Sequence, residues 1–146
     1  MGERKLAVEL FNRAWELMRR AERTAAEDDE LLHVAHASRY HWIAAGTTIN
    51  AARGEWQCSR VYTVLGRAEP ALHHARRCLE LVREAGDAAD WDEPVAHEAL
   101  ARAYALAGDS VAARREIELA REGAVKIAEA EERELVLADL AAIPLA

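Results

Sequence analysis

The chain contains few cysteine and aromatic residues and no long apolar run. Only two of its 146 residues are cysteines, and aromatic residues make up 5%. Two cysteines are too few for the disulfide framework of a small secreted domain, so we expect a reduced, cytoplasmic protein. The sequence also lacks the run of about 18 apolar residues that a membrane-spanning helix needs, and it lacks a charged-then-apolar leader. We therefore expect neither a membrane span nor a signal peptide.

A surplus of basic residues is also missing. The formal net charge is −7 and the pI is near 5.4, whereas nucleic-acid binders usually carry a positive surplus. Proline occurs at only three positions, and the abundant Ala, Leu, Glu and Arg are good helix formers. These features exclude nucleic acid as the expected partner and favour a single all-α domain over residues 1–146.

Apolar residues recur at helical spacing in seven segments, which short connections separate. An acidic cluster at 27–29 is predicted to cap the N-terminus of the second helix, and Asp92 is predicted to cap the N-terminus of the fifth. The predicted helices are residues 3–26, 30–45, 48–65, 70–85, a fifth between Asp92 and Gly108, 110–128, and 131–143. The predicted fold is therefore an antiparallel helical array.

Two of the predicted turns are offset copies. Placing Gly66 on Gly108, 42 residues further on, superimposes SRVYTVLG on ARAYALAG and Tyr62 on Tyr104. The small residues that match in the two copies are Ser59 with Ala101, Ala71 with Ala113, and Cys78 with Ala120. In these residues the chain resembles the tetratricopeptide repeat family, although its period exceeds that family's usual length of about 34 residues.

The resemblance implies a short right-handed stack of helical hairpins. Its parts would be a degenerate hairpin at 3–46, repeats at 47–86 and 92–128, and a C-terminal capping helix at 131–143. The stretches SRYHW and GEWQCSRVY also resemble segments of small bacterial helical proteins, a resemblance that implies no activity.

In that family the first helix of each hairpin lines a concave groove. The resemblance therefore places Arg53, Trp56 and Arg60 on this groove, together with Arg102 at the repeat position of Arg60. Guanidinium groups bind carboxylates, and tryptophan is a common apolar anchor. The predicted function is thus a non-enzymatic module that binds a protein or peptide segment, in particular an acidic one. The alternative at this point is that these arginines pair with acids of the chain itself: Glu55, Glu69 or Glu98.

A second candidate site lies around the sequence HVAHASRYHW. Histidines spaced by one helical turn can bind a metal ion or exchange protons near neutral pH. The polar pocket predicted between the second and third helices is lined by His36, Arg39, Tyr40, His41, Trp56, Gln57 and Arg60. This pocket supports an alternative function as a small-molecule- or metal-binding enzyme. Histidines that only make ordinary hydrogen bonds within the fold would also explain the histidine spacing.

No further chemistry is predicted. The sequence has no glycine-rich phosphate loop, nucleophile elbow or Cys-x-x-Cys pair, so we assign no cofactor, no metal ligands and no catalytic residues. Leu135, Val136, Leu137, Leu140 and Ile143 spread around more than one face of the last helix. That helix is therefore predicted either to cap the array or to bury its second side in a homodimer.

Overall fold

The computed structural model describes residues 2–145, which form seven α-helices and no β-strand. The helices are α1 (Glu3–Met18), α2 (Ala25–Ala45), α3 (Thr48–Val64), α4 (Ala68–Glu84), α5 (Asp92–Ala107), α6 (Ser110–Ala124) and α7 (Ala130–Ala141). This confirms the predicted all-α helical array.

The predicted boundary between the first two helices was wrong. The first helix ends at Met18 rather than at residue 26, and α2 begins at Ala25, before the acidic cluster. Thr24 is the cap: its Oγ1 accepts from the Glu27 N–H at 3.2 Å, and the Glu27 carboxylate accepts from the Thr24 N–H at 2.9 Å. This reciprocal pair is a capping box, which satisfies two free N–H groups of the first turn.

Two other helix ends also differ from the predictions. The sixth helix ends at Ala124 rather than at 128, and Ile127 lies beyond it, buried in the core with α6 and α7. Asp92 is the first residue of α5 rather than its cap, which is Trp91. The Asp92 carboxylate instead accepts from the Ala89 N–H at 2.8 Å and so closes the preceding loop.

The two repeated turns have the same hydrogen bonds. Gly66 and Gly108 have φ angles of +76° and +84°, a region that glycine adopts without the cost of a Cβ. In the first turn the Arg67 N–H donates to the carbonyl of Tyr62, and in the second the Asp109 N–H donates to that of Tyr104. Both glycine N–H groups donate to the carbonyl three residues earlier. The chain therefore folds back in the same way at both positions, through a Schellman-type helix end.

The helices form two layers. Helices α1 with α2, α3 with α4, and α5 with α6 pack as antiparallel hairpins, and α7 packs against α5 and α6. Along one side the backbones of α1, α3, α5 and α7 approach each other in that order, whereas no Cα atoms of α2, α4 and α6 come within 8 Å of one another in residues 2–145. The helices of the second layer are thus further apart, so the array curves with α1, α3, α5 and α7 on its inner side.

Small residues make this close stacking feasible. Ser59 and Ala71 are buried at the α3–α4 contact, where the Ser59 hydroxyl donates to the Ala71 carbonyl at 2.8 Å. Ala101 and Ala113 occupy the matching positions of α5 and α6 and have no exposed surface. None of the helices in residues 2–145 is both long and apolar enough to cross a membrane.

Candidate binding groove

The inner layer encloses an open groove of about 580 Å³. Residues of α1, α3, α5 and α7 line it, with a few side chains from α4 and from the α4–α5 loop at its base. The two end helices, α1 and α7, both line the groove but do not contact each other in the described residues 2–145. A ligand in the groove would therefore touch both ends of the array.

Three of the chain's four tryptophans lie in this groove: Trp15, Trp56 and Trp91. The rings of Trp15 and Trp56 are 5.4 Å apart between centroids and tilted by 40°. Trp91 contributes a third ring, with the Arg53 guanidinium 4.5 Å above its centroid. All three are partly exposed, although the indole N–H of Trp56 is buried and lacks an acceptor within residues 2–145.

Arg53, which was predicted to lie in the groove, is bound to an acid of α5. Its Nε and Nη2 donate to the two carboxylate oxygens of Asp92 at 3.0 and 2.9 Å. Asp92 is 3% exposed, whereas the Arg53 side chain is 35% exposed, so the pair lies at the groove wall with its carboxylate buried and its guanidinium partly in solvent. The pair also holds the guanidinium over the Trp91 ring.

Arg60 and Arg102 meet at one carboxylate, that of Glu98. Arg60 Nη1 donates to Glu98 Oε1 at 3.3 Å, and Arg102 Nε donates to the same oxygen. Arg102 is anchored further by the backbone carbonyl of Asp139 at 3.0 Å. Burial raises the pKa of Glu98, and the two guanidinium groups oppose this. Both arginines therefore pair with an acid of the chain, Glu98, as the alternative in the sequence analysis stated.

The seven side chains predicted to form one pocket between α2 and α3 lie in separate places. Tyr40 is 70% exposed, and His41 bonds to Glu3. Gln57 is fully buried, and its amide donates to the Phe11 carbonyl at 2.9 Å. Trp56 and Arg60 line the groove, whereas His36 and Arg39 do not: His36 contacts Tyr62, and Arg39 Nε lies 3.7 Å from the Glu55 carboxylate.

His36 belongs to a polar cluster that the sequence revealed only in part. Its Nε2 lies 2.9 Å from the Tyr62 hydroxyl, and its ring packs edge-on against His74 with centroids 5.3 Å apart. The rings of Tyr62 and His74 are stacked, and His74 Nδ1 lies 3.0 Å from the buried Glu55 carboxylate. The cluster joins α2, α3 and α4. Sequence spacing pairs residues within a helix and cannot show a meeting of three helices.

Protonation of His36 is expected to weaken the fold. Burial, and secondly the neighbouring His74, lower its pKa below the ordinary 6.5, while Glu55 opposes this and His33 adds to it. A histidine whose pKa is lower in the folded state contributes full stability above 6.5 and loses it as the pH falls through the folded-state pKa. Urea unfolding between pH 8 and pH 5 should therefore show decreasing stability. The decrease should be smaller in His36→Gln, and an equal slope in both proteins would contradict the assignment.

The cysteines and histidines do not form a reactive or metal-binding centre in the described chain. Burial raises the pKa of both Cys58 and Cys78 to about 12, so the two thiols are protonated at neutral pH and are poor nucleophiles. No group of three or more His, Cys, Asp or Glu side chains in residues 2–145 is arranged to hold a metal ion. His97 Nδ1 lies 2.7 Å from the Glu116 carboxylate.

Comparison of this chain with protein-family models, with curated proteins and with solved structures yields no match. Its function must therefore be argued from the groove itself.

Proposed function

We propose that this protein is a non-enzymatic binding module whose groove takes a segment of a partner protein. One observation carries the proposal: three of four tryptophans, in a chain poor in aromatic residues, line a single open groove. Tryptophans at the centre of a protein interface often supply most of its binding energy. Partly exposed tryptophans on a monomer are apolar surface that a ligand can cover.

The shape of the groove supports a polypeptide segment as the ligand. The four helices of the inner layer line it, and it stays open between α1 and α7. The tetratricopeptide-like hairpin arrangement proposed from the sequence would use this inner surface for the same purpose, and the matching turns at Gly66 and Gly108 are consistent with it. Arg53 and Arg60 then shape the groove through their ion pairs, and Trp15 and Trp56 provide the anchoring surface.

The proposal predicts that peptides selected on this protein bind through Trp56. A random peptide library displayed on phage should yield sequences rich in apolar and aromatic residues. Trp56→Ala should weaken a selected peptide by about tenfold or more, as is usual for a central interface tryptophan. Isothermal titration calorimetry with the purified protein and the synthetic peptide measures this change.

Tyr40→Ala is the matched control, because Tyr40 is an aromatic residue with 70% exposure that does not line the groove. This variant should bind the selected peptide as the wild type does. The proposal is wrong if the library yields no peptide, or if the selected peptides bind Trp56→Ala as tightly as the wild type.

A further inference from the structure

Most of the positive charges that line the groove are paired with carboxylates of the chain itself. Arg53 is paired with Asp92, and Arg60 shares Glu98 with Arg102. The only lining cation without a carboxylate partner in residues 2–145 is Arg19, which is exposed immediately after α1 and lies over the Trp15 ring. Arg53 and Arg60 keep free N–H groups, but the charge of each guanidinium is already balanced by a buried carboxylate, so an acidic ligand would gain less from them than from an unpaired arginine.

The wall formed by α7 differs, because the charges on it are negative and unpaired. Glu132, Leu135, Val136 and Asp139 all line the groove from α7. Their spacing of three and four residues places them on one face of that helix. Neither the Glu132 nor the Asp139 carboxylate has a basic side chain within 4.0 Å in residues 2–145, although Asp139 is close enough to Arg60 to oppose the burial that lowers the pKa of that arginine. Between the two acids lie Val136 and the 63% exposed Leu135. This face of α7 is therefore apolar in the middle and negatively charged at both ends.

A ligand that fills the groove removes water from these two carboxylates. Removing water from a charge is costly unless an opposite charge replaces the lost hydration. A lysine or arginine side chain of the ligand would supply that charge, while its aliphatic part could lie on Leu135. The net charge of −7 acts in the same direction, because it attracts a basic segment from a distance.

We propose that the segment bound in this groove is apolar and basic, and that its lysine or arginine side chain contacts Glu132 and Asp139 of α7. This inference rests on the proposed function of the groove. It differs from the acidic segment that the sequence suggested, because the arginines behind that prediction are occupied by Asp92 and Glu98.

The test uses the selected peptides, which should contain lysine or arginine. One such peptide is synthesised in three forms that differ at its basic positions, with lysine, glutamine or glutamate. At low salt the lysine form should bind the wild type about tenfold more tightly than the glutamate form, with the glutamine form between them. This difference should shrink as salt is added, since salt screens exposed charges.

Variants of α7 then locate the contact. The double variant Glu132→Gln/Asp139→Asn should lose most of the preference for lysine and bind the glutamine form as before. The control Glu131→Gln/Glu134→Gln removes the same charge from exposed residues of α7 that do not line the groove, and it should keep the preference.

The possible failures are distinguishable. If the three forms bind equally, or if the glutamate form binds best, this inference is wrong while the proposed function stands. If no library peptide binds in a way that depends on Trp56, the proposed function fails and the inference fails with it. The wild-type preference is measured without any substitution, so a variant that does not fold leaves this part of the test intact.

Discussion

Replacing Asp92 by alanine is expected to lower the free energy of unfolding by about 3 kcal/mol. Asp92 is 3% exposed and accepts three hydrogen bonds, two from Arg53 and one from the Ala89 N–H. The alanine variant leaves the guanidinium of Arg53 without its partner beside an apolar groove, and it leaves the Ala89 N–H unsatisfied. The loss of the ion pair and the loss of the Ala89 hydrogen bond both destabilise the loop that carries Trp91. Urea unfolding followed by circular dichroism measures the change.

Asp87→Ala is the control for the Asp92 variant. Asp87 is an exposed acid of the same loop, and its removal should change stability by less than about 0.5 kcal/mol. A double-mutant cycle with Arg53→Met isolates the ion pair, because the second substitution removes the unpaired cation. If the cost of Asp92→Ala is the same with and without Arg53, the pair does not contribute to stability and the assignment is wrong.

Replacing Glu98 by alanine is expected to cost about 3–5 kcal/mol, the range for removing one partner of a buried ion pair. Glu98 is 3% exposed and is the only carboxylate within ion-pair distance of Arg60 or Arg102 in residues 2–145. Without it, two guanidinium groups of like charge remain close together at the end of the groove. Part of that repulsion would be relieved by movement of Arg60, whose side chain is 25% exposed.

Glu93→Ala is the matched control for the Glu98 variant, since Glu93 lies on the same helix and pairs with Arg83 at the surface. Exposed pairs of this kind contribute about 0–1 kcal/mol. Urea unfolding of both variants at the same pH makes the comparison. Equal losses would show that the Glu98 cluster contributes no more than a surface ion pair.

The position of the repeated turns could be predicted because the signals are local. Gly66 and Gly108 each end a helix in the left-handed region. The matched tyrosines reach back to the preceding hairpin, Tyr62 to His36 and Tyr104 to Arg76. By contrast, the end of α1 was misplaced because apolar spacing continues past Met18, and only the Thr24–Glu27 capping box shows where α2 begins.

The groove could be predicted only in part. Arg53, Trp56, Arg60 and Arg102 were expected to line the groove. The first three line it, whereas Arg102 does not. Trp15 and Trp91 were missed, because they come from the first helix and from a loop that the repeat pattern does not cover. The α7 wall was missed as well, since the pattern of α7 indicated an end cap or a dimer contact. A single pocket of seven side chains was also expected, but only Trp56 and Arg60 of that set line the groove. Tyr40 and His41 pack against each other, whereas His36 packs against Tyr62 and His74.

The sequence by itself determined that the chain is helical, where its hairpins turn and which small residues lie between the helices. These features depend on residues within one or two helical turns of each other, where propensity, capping and spacing act. Only the tertiary structure decided which charges are paired within the described residues and which are not. Arg53 and Asp92 are 39 residues apart, and Arg60 and Glu98 are 38 apart. Such pairs depend on how the hairpins stack, because the attraction between two charges depends on their distance and burial and not on their separation in sequence.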